Sequence, residues 1–228
     1  MSISSSTIHL IIILVISAFL ILTGLKKQPG IGILGAIIII LLFLWARGVP
    51  ISEIGFSPPK NWITTFVMGL GLGLIIQLLS VILIEPFTEK IMKAKHDHSI
   101  IDAVKGNWKV FLQWMMMVWI LVAVIEEGIY RGYLMTEIKN LLGAGSIALV
   151  INLLYSSIVF GLSHGYQGPS GMLSTGIVGV ILGMIFILSD FNLWLVIFTH
   201  GFIDTIGIGL IAIGGDEYLK KQIWLKRS

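Results

Sequence analysis

The stretch Val124-Ile125-Glu126-Glu127-Gly128-Ile129-Tyr130-Arg131 closes the apolar run Trp108–Ile125, and its reading decides the fold. A run of this length can enter a bilayer, where a crossing takes about 20 apolar residues. Adjacent carboxylates have no place on the lipid face of such a helix. Each ionisable group at bilayer depth costs about 2.5–3.5 kcal/mol on insertion scales. Glu126 and Glu127 must therefore face the inside of a bundle, which requires other helices around them. Later hydrophobic segments carry His164 and the pair His200/Asp204. Ionisable groups collected from separate spans mark an expected functional site.

Composition agrees with that reading. Of 228 residues, 56% are hydrophobic and 12% charged, with a mean hydropathy of +0.98. These values point to an all-α, polytopic transmembrane helical bundle rather than a soluble domain. The chain is expected to form a single membrane-embedded domain over 1–228, integral to a membrane such as the bacterial plasma membrane. The net charge is only +3, and the basic residues fall in loops and the tail. They serve topology and contact with lipid headgroups, so a nucleic-acid surface is not expected. The absence of cysteine excludes disulfides, thiolate zinc sites and a cysteine nucleophile. Neither a Gly-rich phosphate loop nor a serine nucleophile elbow occurs. The first segment has no basic flank ahead of it and no small-x-small cleavage signal, so it reads as a retained span.

About seven spans are expected, near Ile8–Gly24, Gly30–Ala46, Trp62–Ile84, Val110–Met135, Ser146–Ser163, Gly171–Leu188 and Leu193–Ile213. Turn residues separate them, as in Lys27-Gln28-Pro29-Gly30, Ser57-Pro58-Pro59 and Gly143-Ala144-Gly145. The connection Pro86–Asn107 mixes charged and apolar residues, which predicts a short amphipathic helix on the membrane surface. An outside amino terminus would put Lys26, Lys27, Lys90, Lys93, Lys95, Lys105, Lys109, Lys220, Lys221, Lys226 and Arg227 in the cytoplasm. Arg47, Lys60, Arg131 and Lys139 would then lie outside, a split of 11 to 4. Gly69, Gly71, Gly73 and the Gly179/Gly183 step read as close helix packing. His96-Asp97-His98 reads as a solvated loop, and His9 as an interfacial residue at the start of the first span.

The polar groups have helical spacing. Glu127 and Arg131 are four apart and share a face, while Glu126 is turned about 100° away. One carboxylate is thus neutralised by a guanidinium and the other is left to face a cavity. His200 and Asp204 also share a face, so the carboxylate can orient the ring or share a ligand with it. A buried glutamate can act as general base toward a water that a histidine holds, and further donors can steady an oxyanion. That set fits peptide hydrolysis inside the membrane. It equally fits metal ligation, with Zn²⁺ on Glu126, His164, His200 and Asp204.

In order and spacing, EExxxR (Glu126–Arg131), FxxxH (Phe160–His164) and HxxxD (His200–Asp204) resemble the CPBP family of membrane endopeptidases. That family includes the CAAX prenyl endopeptidases and bacterial Abi or bacteriocin-processing relatives. The resemblance covers Val110–Ile213, the expected protease-like core. It implies that Glu126 activates the water and His164 positions it, with Glu127 and Arg131 as a supporting ion pair. His200 and Asp204 would form the oxyanion pocket or, on a metalloprotease reading, bind metal. The implied partner is a membrane-associated peptide or protein substrate. Asp204 stands where the prenyl endopeptidases have asparagine. An ionised aspartate cannot donate to an oxyanion, which argues for a different substrate.

Two requirements follow. Glu126 lies about 20 Å from the loop near Asn140, His200 about 12 Å from the loop near Asn192, and His164 about 27 Å from that same side. The site closes only if the fifth helix tilts or begins beyond the headgroups. The charge count also places the loop after Glu126 outside, whereas prenyl endopeptidases open to the cytosol. Two other readings fit the same chain: a non-proteolytic bacteriocin immunity or membrane binding protein, and a proton-coupled transporter using Glu126/Glu127 as a relay.

Overall fold

The computed structural model describes residues 4–224. Lys226 and Arg227 of the charge count lie outside the described residues. Among the described residues, seven helices are long and apolar enough to cross a membrane. They are α1 (Ser5–Leu25), α2 (Pro29–Arg47), α3 (Trp62–Met92), α4 (Trp108–Leu142), α5 (Ser146–Ser163), α6 (Gly168–Leu188) and α7 (Leu193–Ala212); a final α8 (Gly215–Trp224) follows. No strand occurs among the described residues. Side-chain caps fix several starts: Ser4, Asn61, Asn107 and Asn192 accept backbone N–H groups of Thr7, Thr64, Val110 and Trp194. Large apolar side chains such as Leu34, Ile63 and Ile147 are exposed around the outside, as a lipid-facing surface requires.

The expected spans hold, but α3 and α4 run longer than the apolar pattern predicts. Both contain wide π turns, at Ser80–Ile84 in α3 and at Val118–Val122 and Gly128–Met135 in α4. In α3 the Glu85 N–H donates to Ser80 O, a spacing of five residues. That wide turn accommodates Pro86, which has no N–H to contribute, so the helix continues to Met92. The connection after Met92 is therefore not one amphipathic helix. It is a loop followed by a 3₁₀ turn, Ser99–Val104, that turns Val104 into a cluster with Val118, Ile208 and Ile211.

One end of the bundle gathers the α1–α2 turn, the 93–107 loop and the α5–α6 turn. Lys27 lies 3.6 Å from Asp97, and the Asp97 N–H donates to Gln167 O at 3.0 Å. Ser99 donates to the Asp97 carboxylate and, with Lys27 adding charge, holds its pKa below the usual value. The opposite end joins the 48–61 connection to the α6–α7 turn through the Leu193 N–H, which donates to Gly55 O at 2.9 Å. α7 lies along α3 because Gly69 and Gly73 leave room for Phe198, Thr199 and Phe202; Gly71 faces open space.

Candidate active site

α4 brings both glutamates to the centre of the bundle, between its two π segments. Single π turns are a recurrent feature of functional helices because they re-aim side chains along one face. Glu127 is fully buried. Its Oε1 accepts from Arg131 Nη1 at 2.8 Å and from His200 Nδ1 at 2.6 Å. Arg131 also donates through Nη2 to Gly179 O at 3.1 Å and stacks over Phe160 with 4.4 Å to the ring centroid. Gly179 thus has a second role that packing alone did not indicate. Phe160 stands edge-on to His164 and His200, with centroids 4.6 and 6.1 Å away, so it fixes the planes of both imidazoles.

Glu126 faces elsewhere. Its Oε2 is buried and has no hydrogen-bond partner, and His164 Nε2 lies 3.8 Å from it. His164 caps α5, and its Nδ1 donates to Phe160 O at 2.7 Å. With the proton at Nδ1, the Nε2 lone pair of the neutral ring points toward Glu126. Beside these two groups lies a void of about 10 Å³, lined also by Tyr130, Ser163 and Tyr166. That is room for one water. Tyr130 and Ser163 were not picked out from the sequence, although both sit within the motif segments. The Tyr130 hydroxyl donates to Ser163 Oγ at 2.7 Å, which in turn donates to Phe160 O at 2.8 Å, tying α4 to the end of α5.

Across from Glu126, His200 Nε2 stands 3.6 Å from Asp204 Oδ2, too long for a hydrogen bond but within ion-pair range. Glu126, His164, His200 and Asp204 all line one cavity of about 720 Å³. Its lining extends to Pro29, Gly30, Asp97, His98, Ile100 and Gln167, at the end that holds the 93–107 loop. Its walls are apolar, from Ile33, Ile37, Trp114, Met117, Leu121 and Ile125 among others.

The depth difference expected between Glu126 and His200 closes at Gly132. A Cβ there would strike Ile54 O at 2.8 Å and Leu193 Cδ1 at 3.0 Å, so the start of α7 presses against α4 at this residue. From Gly132 back to Glu126 is roughly 9 Å, and from Leu193 on to His200 roughly 10 Å, at 1.5 Å per residue. The α6–α7 turn therefore sits deep in the bundle rather than level with the end of α4, and the two side chains arrive at one level.

Zinc does not fit this set well. Among the described residues, no three of Glu126, His164, His200 and Asp204 bring ligand atoms within 4.8 Å of one another; the group that does is Glu85, His96 and His98. The solvated-loop reading of His96 and His98 needs correction, because both are partly buried and their rings stack 4.2 Å apart. His9 is not interfacial either: it is buried against Glu137 of α4 and the Arg47 guanidinium.

No curated protein and no solved structure matched the chain. A family model described as Type II CAAX prenyl endopeptidase Rce1-like matches residues 108–206, which span α4 to the middle of α7 and carry all three motifs. The part of the chain that builds the buried carboxylate and imidazole set is therefore similar to the CAAX-type membrane proteases.

Proposed function

We propose that the chain is an intramembrane endopeptidase in which Glu126 activates a water for attack on a peptide carbonyl. The observation that carries this reading is the buried Glu126 Oε2, lacking a hydrogen-bond partner, beside His164 Nε2 and a water-sized void that adjoins a large cavity. A water there donates one hydrogen to Glu126 and the other to His164 Nε2. Glu126 takes the first proton as the oxygen attacks the carbonyl carbon. The carbonyl oxygen becomes an oxyanion opposite, within reach of an Nε2–H on His200, whose other nitrogen already donates to Glu127. Glu126 then returns its proton to the amide nitrogen as the C–N bond breaks, leaving a carboxylic acid, whose proton passes to the amine product to give carboxylate and ammonium. Asp204 takes no part as a donor; its charge holds the His200 ring with Nε2 toward the cavity.

The substrate is a peptide or protein segment associated with the membrane, its scissile bond lowered into the apolar cavity from the loop end. That end carries Lys26, Lys27, Lys90, Lys93, Lys95 and Lys105. By the positive-inside rule it faces the cytoplasm. On this reading the motif and the charge count agree, with the site opening beside α1–α2 rather than toward the loop after α4.

The test is Glu126→Gln in purified protein reconstituted with a quenched-fluorescence peptide library. Hydrolysis by the parent and its loss in the variant is the expected result. A parent that cleaves nothing while protecting cells against a bacteriocin would favour the immunity reading. Glu126→Gln hydrolysis at the parental rate would remove Glu126 from the mechanism.

A further inference from the structure

We propose that Glu85, His96 and His98 form a second site, one that binds a divalent transition-metal ion of the zinc type and fastens the 93–99 loop at the rim of the cavity. Glu85 is a buried carboxylate in α3, just past its π turn, and the two histidines come from the loop that follows α3. One ligand atom from each lies within 4.8 Å of the others. Ligands held about 2.0–2.1 Å from a tetrahedral ion stand roughly 3.3 Å apart, so side-chain shifts on the order of 1 Å close the set.

Three features favour an ion over a simple ion pair. His98 Nε2 is buried without a hydrogen-bond partner, and at 3.8 Å from Glu85 Oε2 it is too far to donate to that carboxylate. The two imidazoles stack nearly parallel, 12° between planes. Imidazole with carboxylate is a usual zinc donor set. The loop is already held in place. The His96 N–H donates to Glu89 Oε1 at 3.0 Å, the Asp97 N–H to Gln167 O, and Lys27 pairs with Asp97. Binding an ion thus costs little ordering entropy.

The position matters because His98 lines the cavity together with Glu126, His164 and His200. An ion on Glu85 would tie the loop to α3 beside the cavity, leaving a fourth coordination position for water or another ligand. This assignment does not depend on the proteolytic reading.

The test uses the full chain in detergent, stripped with chelator and titrated with Zn²⁺ alone. One ion per chain is expected. Combined His96→Ala and His98→Ala substitution should weaken it by at least about 100-fold, more than loss of an outer-shell partner costs, while Glu126→Gln leaves it unchanged. Hydrogen exchange of the 93–99 amides should slow on Zn²⁺ addition in the parent only. Should the double variant fail to fold, X-ray absorption of the parent with one equivalent of Zn²⁺ decides: two imidazole nitrogens with oxygen support the site. A shell without imidazole overturns it, as does binding that survives the double substitution or is lost with Glu126→Gln.

Discussion

Two clusters in this molecule are made of the same three parts, a carboxylate, an arginine and a histidine; the first is wholly buried, while the second carries an exposed arginine. In one, Glu127 joins Arg131 and His200; in the other, Glu137 and Arg47 close on His9 between α1, α2 and α4. The first borders the cavity of about 720 Å³, which the second does not line, and there a further carboxylate, Glu126, stands beside the cluster with a buried oxygen lacking a hydrogen-bond partner. The second is packed around by Phe43, whose ring meets His9 and Tyr133 edge-on. Polar groups in a membrane protein do not by themselves mark chemistry. What separates a site from a lock is an unsatisfied atom with somewhere for a reactant to go.

The largest effect that tests this contrast is at Glu126. Glu126→Gln should lower kcat/KM by about 10²–10⁴, the range a general base supplies, with a thermal midpoint close to that of the parent. A variant that keeps within threefold of parental activity in a peptide cleavage assay would erase the distinction between the clusters.

Next is the fully buried pair. Arg131→Met alone strands the Glu127 charge and should cost about 3–5 kcal/mol of stability, read as a fall in thermal midpoint and in yield of folded protein. Combined with Glu127→Leu, much of that stability should return, because an apolar pair of similar volume replaces the ions. Activity should not return, because His200 then has no acceptor at Nδ1. Recovery of turnover in the double variant would show that the pair only locks the bundle.

The fold was legible because apolar runs and turn residues are local signals. Ser146–Ser163 agrees with the expected span at both ends, and Gly30–Ala46 falls within one residue of α2 at each end. The polar residues of the three motifs were legible too, since ionisable groups stand out in hydrophobic helices. How deep each helix sits was not. It follows from Gly132 pressing on Ile54 and Leu193, a contact between residues far apart in sequence. The π turns were hidden for a related reason: their wide winding leaves the 3.6-residue apolar pattern nearly unchanged over one turn. His9, Arg47 and Glu137 each looked like an end-of-span residue, and only the tertiary fold joins them. Glu85 and His98 are separated by the last turns of α3, so neither announced the other.

The second cluster gives a smaller and differently directed effect. Glu137→Gln replaces a carboxylate that accepts from His9 with an amide that still accepts a hydrogen bond. Stability should fall by about 1–3 kcal/mol, the worth of a charge-assisted hydrogen bond. Turnover per folded molecule should stay within about twofold of the parent, since no atom of this cluster lines the cavity. Activity falling as far as in Glu126→Gln, at unchanged thermal midpoint, would mean that the second cluster takes part in the chemistry after all.

The smallest effect belongs to Asp204, at the edge of the first cluster. Among Glu126, His164, His200 and Asp204 it is the most exposed, with a quarter of its side chain accessible, and it lies 3.6 Å from His200 without a hydrogen bond. Asparagine there keeps the shape and gains a donor of its own for an oxyanion while losing the charge that steadies the ring. The two changes oppose each other, so Asp204→Asn should shift kcat by less than about tenfold, the equivalent of 1.4 kcal/mol. Asp204→Ala loses both and should fall further, with KM little altered. If asparagine is instead as damaging as alanine, the charge on Asp204 outweighs its hydrogen-bonding shape, and the oxyanion is held by a His200 that needs both flanking carboxylates.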